Sequence, residues 1–229
     1  RSVPSARGRV TGDAPAGPND PIAIVPTARM LATCSSRDDP GALRTSVRHA
    51  RPRRTVVLCV DLSGSMGARA RAEASSGTVL GLLSSAYERR DKVALVTFRG
   101  DGAEVVLSPT GSVEVARHRV DSLVTGGETP LAAGLTTALD VARKARTPDG
   151  DLLIAVLTDG RATGTPDALD RAIEAAAAIR RESISAIVLD CESGATRLGL
   201  ARQLAEAMGA QIVTVDPTAS GDVAAALGR

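Results

Sequence analysis

From residue 55 onward, unbroken apolar runs alternate with stretches whose apolar residues recur every three or four positions. Thr55–Val60 reads TVVLCV, a continuous apolar run of strand length, as expected for a strand buried on both faces. Lys92–Phe98, Leu152–Leu157, Ser185–Leu189 and Gln211–Val215 read the same way. Between them, Leu131, Leu135, Ala138, Leu139 and Ala142 share one helical face. Leu169, Ala172, Ile173, Ala176 and Ile179 do the same. Ala68–Arg90, Ser112–Leu123 and Thr196–Met208 are predicted as further helices. Thr129-Pro130 and Thr165-Pro166 each place an N-cap residue before a proline at the first helical position. Glu104–Leu107 reads as a short extra strand, folded back on Lys92–Phe98 across Gly100-Asp101-Gly102. The alternation predicts an α/β fold. It is doubly wound, with a mostly parallel six-stranded sheet, one short antiparallel strand and helices on both faces. In such folds ligands sit beyond the carboxyl ends of the strands.

Charge divides the chain. Residues 1–54 hold ten Arg against four Asp, a balance of +6, and seven of the twelve prolines. The remainder holds eighteen basic and twenty-two acidic residues, a balance of −4. The reading is therefore a basic, Pro-rich, partly ordered arm over residues 1–53 and a globular domain over 54–229. Within the arm, residues 1–20 read as a solvated linker. Ile22–Pro26 reads as a short strand, followed by a helical turn or more over Thr27–Thr33. The alternative for the arm is a segment that docks on an acidic surface.

Composition narrows the classes. Hydrophobic residues make up 43% and charged residues 24%, which excludes general disorder. No apolar run approaches the roughly 18 residues of a membrane-spanning helix. The chain opens on Arg1 rather than Met, without a leader pattern, as a fragment or a processed form would. Three cysteines, Cys34, Cys59 and Cys191, lack any paired spacing. They argue against a disulfide framework or a zinc site and for a reducing, cytoplasmic compartment. Tyr87 and Phe98 are the sole aromatic residues, too few for a base-stacking nucleic-acid platform.

The chemistry gathers where strands end. The first domain strand runs into Asp61-Leu62-Ser63-Gly64-Ser65-Met66-Gly67. Asp61, Ser63 and Ser65 alternate, so one tight loop can aim three oxygens the same way, with Gly64 and Gly67 supplying backbone freedom. A later strand ends in Thr158-Asp159-Gly160 and adds a second carboxylate; Gly126-Gly127-Glu128-Thr129 adds a hydroxyl. Hard oxygens alone, with no His or Cys near in sequence, suit Mg²⁺ or Mn²⁺ completed by water. Such a site is undercharged and can accept a carboxylate from a partner. Each piece has a plainer alternative: serines capping a helix, Thr129 as an N-cap, Asp159-Gly160 as a turn. The coincidence of the three favours metal.

Other chemistries fit less well. No G-x-x-x-x-G-K-[ST] loop is present, so ATP is not bound by this segment. No G-x-S-x-G elbow is present, and a Ser–His triad would have to recruit His49 or His118 from outside the constellation. A phosphohydrolase using Asp61 would want a second acid two residues on, where Ser63 stands. Cys59 reads as a small core residue. No residue is assigned a catalytic role.

Residues 54–229 resemble a von Willebrand factor A (integrin I-like) domain. Its metal-ion-dependent adhesion site, D-x-S-x-S with a later Thr and Asp, falls on Asp61, Ser63, Ser65, Thr129 and Asp159. The segments Val60–Met66, Arg89–Ala94, Thr97–Gly100, Gly126–Leu135 and Leu157–Ala162 resemble the D subunit of magnesium chelatase, as does Ile24–Arg29 in the arm. The resemblance implies a metal-dependent interaction module that couples an AAA+ ATPase subunit to a large porphyrin-binding subunit, for Mg or Co insertion into a tetrapyrrole of the chlorophyll or cobalamin type. That D subunit carries an AAA+ module and a Pro-rich acidic linker upstream, so the chain is expected to be its C-terminal part or a stand-alone relative. Glu128, Met66 and Arg161 are the candidate partner-binding residues. Arg161 has two readings, holding a partner carboxylate or sitting solvated. A stand-alone adhesion or scaffold domain working with another AAA+ ATPase is the second reading of the whole. Neither nucleic acid nor membrane insertion is expected.

Overall fold

The computed structural model describes residues 3–34, 40–50, 54–64, 80–81, 83–120, 125–148, 150–192 and 198–215. The chain separates into two compact units, Arg1–Pro52 and Arg53–Arg229.

In the first unit, β1 (Val3–Pro15) pairs antiparallel with β2 (Arg44–Ala50), and α1 (Ile24–Leu31) lies between them in sequence. Residues 3–15 are therefore strand, where the sequence reads as a linker. The β-branched Thr45 and Val47 of β2 give them a partner. Arg44 Nε closes the end of the ribbon on Asp13 Oδ2 at 2.7 Å. The short strand expected at Ile22–Pro26 reduces to one bridge between Ile22 and Thr45. The helix starts already at Ile24, with Pro26 in the first turn, where a missing N–H leaves no intrahelical bond unmade.

The second unit carries β3 (Thr55–Asp61), β4 (Lys92–Arg99), β5 (Gly102–Thr110), β6 (Leu152–Thr158), β7 (Ser185–Asp190) and β8 (Gln211–Thr214). They form one sheet in the order β5-β4-β3-β6-β7-β8, parallel throughout except for the β4–β5 pair. The helices are α2 (Val113–Val120), α3 (Leu131–Ala145), α4 (Ala168–Arg181) and α5 (Leu200–Met208). Residues 83–88 are also helical. Much of the helix expected over Ala68–Arg90 lies outside the described residues. No helix among the described residues is long and apolar enough to cross a membrane.

Strand alternation sorts the core into two layers. Val57, Cys59, Val96, Phe98, Ile154, Val156 and Val188 pack on α3, α4 and α5. Val56, Leu58, Val60, Leu95, Leu153, Ala155 and Leu189 face the other way, against Leu83, Ala86 and Ala116. Both faces are thus covered, which is why these strands read as continuous apolar runs.

Two helix starts differ from expectation, for one reason. α3 starts at Leu131 with Pro130 as N-cap, and α4 starts at Ala168 with Asp167 as N-cap. Thr129 is drawn off by Thr163: the Thr129 N–H donates to Thr163 Oγ1 at 2.8 Å, and the Thr163 N–H donates to the Thr129 carbonyl at 3.0 Å. Thr165 instead hydrogen-bonds the Asp167 carboxylate, and its carbonyl accepts from the Ala168 N–H at 3.1 Å.

Candidate functional site

The sheet order reverses between β3 and β6. β4 follows β3 on one side, and β6 lies against the other side of β3. This is the switch point at which doubly wound sheets open a crevice beyond their carboxyl ends. Registers align the last row: Phe98 pairs with Asp61, Val60 with Leu157, and Thr158 with Asp190. By strand alternation Phe98, Asp61, Thr158 and Asp190 all project toward the α3–α5 layer.

Asp61 is buried, 1% exposed. Its Oδ1 accepts from the Ser63 N–H at 2.9 Å, and its Oδ2 accepts from Thr158 Oγ1 at 3.0 Å. The Ser63 side chain also hydrogen-bonds this carboxylate. Thr158 Oγ1 in turn accepts from the Gly160 N–H at 3.0 Å. One hydroxyl thereby ties the tip of β3 to the turn after β6. Burial pushes the Asp61 carboxyl up to about 6; its hydrogen bonds oppose the rise, and the nearby Asp159 charge adds to it.

The other loops are stitched in by backbone. The Gly64 N–H donates to the Gly127 carbonyl at 2.9 Å, and the Gly126 N–H to the Leu62 carbonyl at 2.8 Å. Gly64 has no left-handed φ. A Cβ there would make ordinary contact with the Gly127 carbonyl oxygen at 3.4 Å, so the backbone freedom expected of Gly64 is not used. Ser63 and Thr129 are buried beside this junction. Asp159 is buried too, its Oδ1 accepting from the Arg161 N–H at 3.0 Å. Arg161 Nε stands 3.6 Å from Asp159 Oδ2 with 47% of its side chain exposed. Its guanidinium is thus both an internal partner of Asp159 and half in solvent. Gly160 takes φ +80°, and a Cβ there would run into the backbone of Leu200 and Ala201 at the start of α5.

The structure therefore gathers Asp61, Ser63, Thr129 and Asp159 on one sheet edge. Ser65 and Met66 lie outside the described residues. Glu128 is exposed at the rim, next to a cleft of about 310 Å³ that Thr129, Asp101 and Arg171 also line. His118 is exposed on α2. The described residues contain no cluster of three His, Cys, Asp or Glu placed to hold a metal. That follows from the donor set, which is two carboxylates with hydroxyls. Hard oxygens around a buried carboxylate that has no ion pair among the described residues fit a divalent ion of the magnesium type. Asp61, Ser63, Thr129 and Asp159 are the residues that could hold one.

Three residues at this edge escaped sequence reasoning. Thr158 was passed over because it sits inside an apolar strand, although its place directly before Asp159 was a signal. Asp190 ends β7 and Glu192 follows it. The Glu192 N–H donates to Asp190 Oδ1 at 2.8 Å. The Glu192 carboxylate accepts from the Leu198 and Gly199 N–H groups at 2.6 and 3.2 Å, at the N-terminus of α5. Cys191 lies between them, its thiol pushed up to about 12 by burial and by Asp190, Asp61 and Asp159.

A family model described as von Willebrand factor type A domain matches residues 56–162. An uncharacterized protein of Mycobacterium tuberculosis is 48% identical over 179 residues, 77% of this chain and 28% of that protein. The magnesium-chelatase 60 kDa subunit of Rhodobacter capsulatus is 34% identical over 208 residues, 83% of this chain and 36% of that subunit. The chain thus spans little more than a third, at most, of the length of either. Among solved structures, a von Willebrand factor type A protein from Catenulispora acidiphila superposes with a TM-score of 0.61. It is 22% identical and covers 80% of this chain and 43% of its own, a likeness of fold.

Proposed function

The chain belongs to the von Willebrand factor type A domain family and is homologous to magnesium-chelatase subunits, and from that premise we propose that it is the metal-dependent docking module of a chelatase assembly. In this reading it joins an AAA+ ATPase subunit to a porphyrin-binding subunit during Mg or Co insertion into a tetrapyrrole. It performs no bond chemistry itself and works in the cytoplasm. The observation that carries the reading is the buried Asp61 carboxylate, held by Ser63 and Thr158 beside Asp159 with no ion pair to it among the described residues.

Asp61, Ser63, Ser65, Thr129 and Asp159 would hold the ion. Bound there, a divalent cation would supply positive charge beside Asp61 and an open position for a partner carboxylate. Thr158 orients Asp61 by fixing Oδ2, leaving the Ser63 bonds to fix the rest of the group. Arg161 holds Asp159 through its N–H and guanidinium. Its exposed half offers an arriving carboxylate a second contact, Glu128 stands exposed at the rim, and Met66, outside the described residues, is proposed as a further partner contact.

The test is a calorimetric titration of Mg²⁺ and Mn²⁺ into wild type and Asp61→Ala, with and without the AAA+ subunit of the same organism. Binding that disappears in the variant and tightens with the partner supports the reading. Equal heats for both proteins would make the Asp61 loop structural only and sink it.

A further inference from the structure

Residues 1–52 carry apolar side chains on the outside, where a folded unit would bury them. The inward residue of α1 is polar: Thr27 is buried, and its Oγ1 accepts from the Arg44 N–H at 3.0 Å. The outward residues are Ile24, 81% exposed, Val25, 66% exposed, and Leu31. Ile22 and Leu43 extend this surface, because the Ala23 N–H bonds the Arg44 carbonyl at 2.7 Å and brings the two segments side by side. Among the residues of this unit whose side chains are described, only Thr27 and Ala42 are buried. A two-stranded ribbon with one helix lacks the core to be stable alone, and contiguous exposed apolar surface marks an interaction site.

Charge selects the occupant. Eight Arg against four Asp in residues 1–52 set +4 against +4 if two such units met, so a second one is repelled. The occupant is acidic. The metal site asks its partner for the same sign of charge. We infer that the exposed face of α1, with Ile22 and Leu43, docks on an apolar, acid-rimmed surface of the same ATPase subunit that offers a carboxylate to the Asp61 site. The inference rests on the docking reading given above and adds a second point of attachment. Two linked contacts raise the effective concentration of each.

The experiment measures the affinity of the full 229-residue chain for the purified ATPase subunit in Mg²⁺ at low and high NaCl. Wild type, Ile24→Ser/Val25→Ser and Asp61→Ala are compared. Both arm substitutions fall on exposed side chains, and an unchanged melting midpoint confirms that the fold is kept. The arm variant is expected to bind about tenfold more weakly or worse, as truncated interface anchors do. The wild-type affinity is also expected to fall with salt. Wild-type affinity in the arm variant, with Asp61→Ala impaired, overturns the arm contact alone. Loss in the arm variant with Asp61→Ala and EDTA both without effect upholds the arm contact and overturns the metal docking. No binding by wild type overturns both. Self-association of the isolated chain in sedimentation, abolished by the arm variant, would make the occupant a second copy and also overturn the inference.

Discussion

Asp61→Asn should make the metal-free protein more stable at neutral pH. The Asp61 carboxyl titrates at about 6 in the folded chain, against an ordinary value near 3.8. Its folded pKa is raised, so its contribution is most favourable below about pH 4, where both states hold the proton, and stability is lost as pH rises through 6. A shift of about two units corresponds to roughly 3 kcal/mol of penalty on the charged form at pH 7.5. Asparagine removes that penalty and keeps an acceptor for the Ser63 N–H. It reverses the bond with Thr158, whose hydroxyl proton then loses its acceptor, at a cost of about 1 kcal/mol. The net gain is about 2 kcal/mol. Urea unfolding in EDTA at pH 7.5 and pH 4 reads it. The variant should unfold at higher urea at pH 7.5, and the gap should nearly close at pH 4. Added Mg²⁺ should raise the wild-type midpoint and leave the variant unmoved. A variant no more stable than wild type at pH 7.5 in EDTA, or a gap that does not depend on pH, would refute the picture of an uncompensated buried charge.

Thr158→Val removes the hydroxyl that joins Asp61 to the Gly160 N–H, and should cost about 1–3 kcal/mol in urea unfolding and about tenfold in Mg²⁺ affinity by calorimetry. Thr158→Ser should restore most of both. Gly160→Ala pushes a methyl into the Leu200–Ala201 backbone at φ +80°; it should lower the melting temperature by several degrees and weaken Mg²⁺ binding together. Glu192→Gln keeps the shape but removes the charge at the start of α5. Amide exchange at Leu198 and Gly199 should speed up several-fold, stability should drop by about 1 kcal/mol, and Mg²⁺ affinity should stay unchanged.

β3, β4, β6 and β7 were legible because both of their faces are buried, which leaves apolar runs with no polar alternation to confuse them; the edge strand β8 is half-exposed and was read from its short apolar run alone. β5 was read as Glu104–Leu107 but runs from Gly102 to Thr110. Its mixed, half-exposed pattern marks an edge strand, and its length is set by pairing with β4, which periodicity does not register. The arm was least legible. β1 is stabilised by a partner some thirty residues away, and nothing local in RGRVTGDAP announces a strand. At the site, Asp61, Ser63, Thr129 and Asp159 could be marked from residue type and position at strand ends. Thr158 had only its place before Asp159 as a signal, because its bond to Asp61 exists only across the β3–β6 pair. Asp190-Cys191-Glu192 repeats at a strand end the alternate oxygen spacing of Asp61-Leu62-Ser63, a signal that sequence reasoning missed; their bonds to each other and to the backbone entering α5 exist only in the fold.

The four acids at the carboxyl edge divide by how their oxygens are engaged, and register explains the division. Asp190 shares a row with Thr158 and Asp61, so strand geometry alone would make it as good a ligand as Asp61. Its Oδ1, however, is held by the Glu192 N–H, and both oxygens of Glu192 are held by the backbone entering α5. That pair anchors the N-terminus of α5, the surface against which bare Gly160 rests. Asp61 and Asp159 have no such anchoring task. Asp61 is oriented by a hydroxyl and by the next loop, and Asp159 by a half-exposed arginine. Two carboxylates thus build the wall and two are presented at the switch point. Of the presented pair, Asp159 is matched by the Arg161 guanidinium, whereas Asp61 receives hydrogen bonds from Ser63 and Thr158 and, among the described residues, no ion pair. A buried charge that destabilises its own fold persists where something outside the chain offsets it. At this edge the hard oxygens around it suit the small divalent cation proposed above.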